Sequence, residues 1–209
     1  MRNRYPYNAL MFIIILLCSC GSGRSFFTNY YLKNEKTLTV IEQSYKALYQ
    51  QRRFSIQFTD HSFKNISLEI ITDSIKFIYE FEINDPGLKD TLFKYGLPVN
   101  GVRDLIKQMG SIHCMWINNL DYYTNKGKQA LIFMSIRNIA IHLPFTYEKY
   151  YILTFYPQPQ YFNKDGKLLA KRSLRKLRKI NDEIFMRINN KVCYTISERF
   201  RLLFLTVKC

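Results

Sequence analysis

This chain lacks most of the residues and motifs that would identify an enzyme. Its 209 residues include one tryptophan and three histidines, and the histidines have no metal-ligand spacing. The motifs Gly-x-Ser-x-Gly, His-Glu-x-x-His, Gly-x-x-x-x-Gly-Lys-Ser/Thr and Cys-x-x-Cys do not occur, and each of them marks a known class of hydrolytic, metal, nucleotide or redox site. We therefore predict no catalytic residue, no metal and no cofactor, and an enzyme is the less favoured interpretation.

Acidic residues are scarce as well. The chain has 16 of them against 31 lysines and arginines, which gives a formal net charge of +15. An excess of this size favours partners that carry negative charge. A second explanation stays open, because the chain is also rich in asparagine, isoleucine, tyrosine and phenylalanine, which AT-rich codons favour together with lysine.

Long apolar runs are absent too. The longest begins at Ala9 and ends at Leu17, and polar residues follow it closely. A membrane-spanning helix needs about 20 apolar residues. With Arg2 and Arg4 in front, this short run has the layout of a secretory signal, whose apolar part is followed by a cleavage site after a small residue.

The residues after the run specify the signal further. Leu17-Cys18-Ser19-Cys20 resembles the lipobox of bacterial lipoproteins, although Cys18 replaces the usual small or aliphatic residue. The resemblance implies that residues 1–19 are a signal peptide and that Cys20 is the mature N-terminus, modified with palmitate-type acyl chains. Several such chains anchor a protein stably to a membrane. An ordinary cleaved signal and an uncleaved anchor remain alternatives.

The anchor also predicts a location. Residues 20–25 form a short Gly/Ser-rich tether, and residues 26–209 are long enough for a single domain with a proper core. Gly21 follows the acceptor cysteine where an inner-membrane retention signal would have aspartate, and no acidic cluster follows. The chain is therefore expected at the periplasmic face of the outer membrane.

Hydrophobic periodicity predicts an α+β domain, with an antiparallel sheet of about six or seven strands packed with three or four helices. One helix is expected from an Asn34 cap to Arg53, a second after Asp85-Pro86 with Gly96 at its end, and a third between Asn100 and Gly110. Alternating apolar residues predict strands over 54–58, 66–70, 75–83, 112–120, 129–141, 150–156 and 191–197. A last, long helix is predicted over 170–188.

That last helix carries the candidate binding site. Its apolar residues fall in one stripe, and its other side bears six basic residues. These cations come before Asp182 and Glu183, which is the reverse of the order that the helix dipole favours, so a bound anion would stabilise the segment. A merely solvated helix face is the simpler alternative. The predicted anion-binding residues are Lys171, Arg172, Arg175, Lys176, Arg178 and Lys179.

Two cysteines are predicted to pair. Cys114 and Cys193 both lie in strand-like segments, whereas Cys209 is at the C-terminus. The envelope is an oxidising compartment that permits disulfides, so we expect a Cys114–Cys193 bond. Two small buried thiols are the alternative.

These features suggest a cell-envelope lipoprotein whose domain is a non-enzymatic binding or assembly module. Its membrane contact would be the N-terminal lipid, and its cationic helix would face the phosphates of anionic lipids or lipopolysaccharide. Nucleic acid is not expected as a partner, because an exported protein meets little of it. A periplasmic hydrolase with acidic catalytic residues on loops and a lipoprotein immunity factor remain alternatives.

Overall fold

The computed structural model describes residues 22–124, 127–136, 150–171 and 175–197. The chain divides into a first compact unit that ends at Glu35 and a second that begins at Lys36. Cys20, Cys209 and the tether up to residue 21 lie outside the described residues, and so do the predicted hairpin turn at residues 125–126 and the end of the strand predicted to reach residue 141.

Helix α1 (Ser22–Gln51) spans both units. In the second unit its inward face carries Leu38, Ile41, Tyr45 and Leu48, which are all buried. The predicted start is wrong. Asn34 is not a cap but lies inside the helix, where its side-chain amide donates to the Tyr30 carbonyl at 2.9 Å.

The second unit is built on one antiparallel sheet of eight strands in the order β3-β2-β1-β4-β5-β6-β10-β9. The α+β class and the antiparallel sheet are thus confirmed, with more strands than predicted. The long strands are β1 (Arg53–Phe58), β2 (Asn65–Ile71), β3 (Lys76–Glu82), β4 (Cys114–Thr124), β5 (Gly127–Ile136), β6 (Tyr150–Phe155) and β10 (Val192–Ser197). The short strands are β7 (Lys179–Ile180), β8 (Glu183–Ile184) and β9 (Met186–Arg187), and β7 and β8 form a separate hairpin.

Helices cover one face of the sheet, which we call the helical face. Tyr45 of α1 packs on Phe54 with ring centroids 5.1 Å apart. Helices α2 (Pro86–Lys94) and α3 (Val99–Ser111) cover the same face, since Gly87 lies against the ring of Phe81 and Gly110 against that of Phe58. Side chains alternate across a strand, so every second residue of β1, β2 and β3 contributes to this layer.

The start of α2 follows its sequence signals. Asp85 is the N-cap, and its carboxylate accepts from the Gly87 N–H at 2.7 Å, while Pro86 occupies the first turn. Gly96 has φ +70° just after the helix, a conformation that glycine adopts without a Cβ penalty. Both boundaries are confirmed.

A second apolar layer covers the opposite face over β5, β6 and β10, and we call this the arm face. The residues between β6 and β10 fold over it, and the rings of Phe133 and Phe185 lie 6.4 Å apart. The buried cluster consists of Leu131, Phe133, Ile152, Tyr156, Leu168, Ile180, Phe185 and Cys193. The two faces of the sheet are therefore covered by different layers, helices on one face and the segment between β6 and β10 on the other.

The helix predicted over 170–188 is wrong. Where the structure describes this segment, it consists of short paired strands, and Arg175, Asn181 and Asp182 have φ of 49°, 50° and 62°. An α-helix of L-residues cannot include such residues. Asn181 and Asp182 instead form the two-residue turn between β7 and β8, where asparagine and aspartate tolerate positive φ. Of the apolar residues that suggested a helical stripe, Ile180 and Phe185 are buried, whereas Leu177, Ile184 and Ile188 are half-buried.

Candidate functional site

Most of the basic segment lies in the described residues 162–171 and 175–187, which we call the basic arm. In its central stretch, residues 167–169, Leu169 pairs with Leu177 on one side. On the other side Lys167 pairs with Met186. The Ala170 N–H donates to the Lys176 carbonyl at 2.8 Å. The described residues on the two sides of 172–174 are therefore paired with each other, and burial of Leu168 and Phe185 holds the arm against the sheet.

The described part of the basic arm presents cations to solvent. Lys171, Arg175, Lys176 and Lys179 are exposed, and none of the four forms an ion pair with another residue that the structure describes. Uncompensated charges on an exposed surface are available to an external anion. Arg172 lies outside the described residues.

Arg178 has a different environment from its basic neighbours. It is half-buried, its guanidinium lies 5.6 Å from the centroid of the Tyr156 ring, and its side chain donates to the Gln160 amide oxygen at 3.4 Å. A guanidinium over an aromatic face is a stabilising contact within the fold. Arg178 therefore attaches the arm to the sheet, whereas its predicted role was to bind an external anion.

A polar cleft of about 410 Å³ lies at another place, where β1 and β4 separate. Its lining brings together residues from five elements that are distant in the sequence. The lining includes cations, carboxylates and side-chain amides, among them Lys46, Arg52, Arg53, Asp73, Gln50, Asn119, Asp121 and Gln129. Binding sites commonly place a few convergent polar groups in such a concavity.

Specific hydrogen bonds hold the two strands apart at this cleft. β1 and β4 pair only at Ile56–Ile117 and Gln57–Trp116. Continuing that register would join the Asn119 N–H to the Phe54 carbonyl. Instead the Tyr45 hydroxyl donates to the Phe54 carbonyl at 2.5 Å, and the Asn119 N–H donates to the Asn118 side chain at 2.7 Å. Both buried backbone groups are satisfied, so the separation is a stable part of the fold.

The cleft contains Asp121, which accepts from the Asn119 amide at 2.9 Å. Asp60 and His61 lie outside the cleft lining, in the turn after β1, where Asp60 accepts from the N–H groups of Lys64 and Asn65 at 3.0 and 2.8 Å. Sequence reasoning missed the cleft, because no local motif marks it. Two consecutive asparagines within a strand, Asn118 and Asn119, are the one weak signal in the sequence.

The predicted disulfide is wrong. Cys114 and Cys193 are both buried free thiols, and their strands β4 and β10 are separated by β5 and β6. Three strand spacings of about 4.8 Å place them far beyond the Cα separation that a disulfide allows, about 7 Å at most. The two cysteines therefore belong to different parts of the core.

Over the described ranges, no group of three or more histidine, cysteine or acidic residues could hold a metal ion. Across the same ranges, no helix is both long and apolar enough to cross a membrane.

Comparison with known proteins identified no relative of this chain. No protein-family model matches the chain, and neither a curated protein nor a solved structure matches it. The functional argument therefore rests on the geometry of the basic arm and the cleft.

Proposed function

We propose that this chain is a lipid-anchored envelope protein whose basic arm binds phosphate groups at the membrane surface. One observation supports the proposal above the others. The paired residues of the basic arm, fixed by backbone hydrogen bonds and by a buried apolar layer, expose Lys171, Arg175 and Lys176 without intramolecular counter-charges in the described residues. The acyl chains on Cys20 would keep the basic arm near the lipid head groups.

The expected energy is modest but additive. Each lysine or arginine near an anionic membrane surface contributes about 1 kcal/mol, and the effect falls off within a Debye length of about 8 Å at physiological ionic strength. The anchor supplies the durable attachment, and the arm orients the domain on the surface. Binding should therefore depend on lipid charge and on salt.

Lysine footprinting on the full-length, lipid-anchored chain tests the arm. The chain is reconstituted into phosphatidylcholine vesicles with and without phosphatidylglycerol, and each lysine's reaction with an amine-directed reagent is measured by mass spectrometry. We expect Lys171, Lys176 and Lys179 to react several-fold more slowly on the anionic vesicles, and high salt to remove the difference. Lys89, exposed on α2, is the internal control and should not change.

A charge-reversal variant completes the test. Arg175→Glu should lower the protection of Lys171 and Lys176 on anionic vesicles, since it replaces a cation of the basic arm with an anion. Equal reactivity of these lysines on both kinds of vesicle would overturn the proposal, and so would protection that Arg175→Glu leaves unchanged.

A second candidate function concerns the cleft. Asp73 and Asp121 both line it, together with Arg53 and several amides. A hydrolase needs paired acid–base groups within one concavity, so this arrangement favours the periplasmic hydrolase among the alternatives. A lipoprotein immunity factor has less support, because the exposed charge of the arm is basic whereas immunity surfaces are often acidic.

A further inference from the structure

Strand β3 forms one end of the eight-stranded sheet, and no described strand pairs with its outer edge. Two hydrogen bonds fix which of its backbone groups face outward. The Ile83 N–H donates to the Lys64 carbonyl and the Thr72 N–H to the Ile75 carbonyl, each at 2.9 Å. In an antiparallel ladder every second residue bonds the neighbouring strand. The N–H and C=O groups of Lys76, Ile78 and Glu80 therefore point away from β2.

The side chains of this edge are unusually apolar for an exposed strand. Ile75 and Ile78 are 56% and 57% exposed. On the helical face, Phe77, Tyr79 and Phe81 are half-buried and stacked in a row, with neighbouring centroids 6.5 and 6.1 Å apart. An edge that combines free backbone groups with exposed apolar side chains is a template for pairing with another strand.

We propose that β3 pairs antiparallel with β3 of a second copy of this chain, about a two-fold axis at Ile78. This register places Ile78 opposite Ile78 of the partner subunit. It also places Lys76 opposite the partner's Glu80, and Glu80 opposite the partner's Lys76. Lys76 also forms an ion pair with Glu69 of its own chain at 2.9 Å, so in the dimer its ammonium lies between Glu69 and the partner's Glu80. The charges of the two paired edges are thus complementary, as an isologous interface requires.

The same register fits the hydrogen-bonding groups. It uses the N–H and C=O of Lys76, Ile78 and Glu80, which are the outward-facing groups of the strand. It does not need the carbonyl of Glu82, which already accepts from the Asp85 N–H at 2.9 Å. On the helical face it brings Phe77 opposite the partner's Tyr79 and covers Ile75 with the partner's Phe81. Aromatic cross-strand pairs of this kind stabilise a sheet.

Sedimentation of the full-length chain in density-matched detergent tests the pairing. We expect a concentration-dependent equilibrium between monomer and dimer. Ile78→Pro removes an N–H that serves only the second copy, and proline is tolerated at the outer side of an edge strand. It should weaken the dimer at least about tenfold, while thermal unfolding of the monomer stays close to that of the parent; Ile78→Thr, which keeps the N–H, is the matched control.

A charge-swap pair tests the register. Glu80→Lys places two lysines opposite each other at two positions and should weaken the dimer about tenfold, whereas Lys76→Glu combined with Glu80→Lys should restore it to within about threefold. Mild oxidation should cross-link an Ile78→Cys chain, because hydrogen-bonded residue pairs have Cα atoms about 5.5 Å apart. A Glu82→Cys chain should not cross-link above the level of the parent.

Three results would overturn the proposal. They are a monomer at every concentration, a dimer that Ile78→Pro does not weaken, and equal cross-linking of the Ile78→Cys and Glu82→Cys chains. The first would indicate that any occupant of this edge is a different protein.

Discussion

At the scale of single residues, burial decides the chemistry of the two core cysteines. Desolvation raises the pKa of Cys114 to about 12, and it raises the pKa of Cys193 to about 12 although Arg178 opposes the shift. A thiol with such a pKa is almost fully protonated at neutral pH, and the thiolate is the reactive form. Both residues therefore act as small apolar side chains, and neither is a nucleophile.

Thiol labelling checks this assignment. A maleimide at pH 8 should leave Cys114 and Cys193 unmodified in the folded chain and should modify both after unfolding in urea without reductant, as read by peptide mapping. A chain with Ser74→Cys, at an exposed turn position, is the positive control for reagent access. Cysteines that stay unreactive after unfolding would reveal a disulfide, and rapid labelling of the folded chain would contradict the burial.

The same pKa shifts predict a pH dependence. The unfolded thiols ionise near pH 9 while the folded ones stay protonated up to about pH 12. Their contribution to stability is therefore complete below pH 9 and is lost as the pH rises above it, by up to about 1.4 kcal/mol per pH unit for each thiol. Urea midpoints measured between pH 8 and 11 should fall more steeply for the parent than for a Cys114→Ala chain.

At the scale of elements, local signals predicted the first three strands and the ends of α2, whereas the Asn34 cap signal was wrong. Alternating residues predicted β1, β2 and β3, and Asp85-Pro86 predicted the start of α2. The segment over 170–188 failed because its apolar spacing fits a helix and a set of short strands equally well. The Asn181-Asp182 dipeptide is the signal that could have distinguished the two, since both residues tolerate the positive φ of a tight hairpin turn.

A glycine substitution distinguishes the turn from the helix. Asp182→Gly should stabilise the chain by about 0.5–1 kcal/mol, because Asp182 has positive φ and glycine adopts it without strain. In a helix interior the same change would instead cost about 0.3 kcal/mol, because glycine is about 1 kcal/mol and aspartate about 0.7 kcal/mol less favourable than alanine there. Lys179→Gly in β7 is the control and should be destabilising; urea denaturation gives both values, and a destabilised Asp182→Gly chain would contradict the hairpin.

At the scale of the whole molecule, the sequence indicated the class but not the arrangement. Seven segments were expected as strands, yet nothing in their patterns ordered them, and strand order is what separates Cys114 from Cys193 and opens the cleft beside Asn119. Periodicity reports which side of a strand is apolar. It does not report its neighbours, so sites assembled from several strands could not be predicted.

The proposed lipid anchor at Cys20 also concerns the whole molecule, because it would determine where all other surfaces act. Cys20→Ala should abolish incorporation of a fatty-acid analogue and shift the chain from the membrane to the soluble fraction, since the acyl chains supply most of the membrane affinity. Cys18→Ala, two residues earlier, is the matched control and should keep the label. Equal labelling of the Cys20→Ala chain and the parent would contradict the lipobox assignment.

The short contact between β1 and β4 gives the sheet a line of mechanical weakness. Two residue pairs join these strands, whereas six join β1 to β2 and ten join β4 to β5. Strands β3, β2 and β1 form one part of the sheet, and the other five strands form the second part. Twisting of one part against the other would therefore be concentrated at the pairs Ile56–Ile117 and Gln57–Trp116. The cleft lies beside this line, so a small rotation there would change the distance between Arg53 and Asp121.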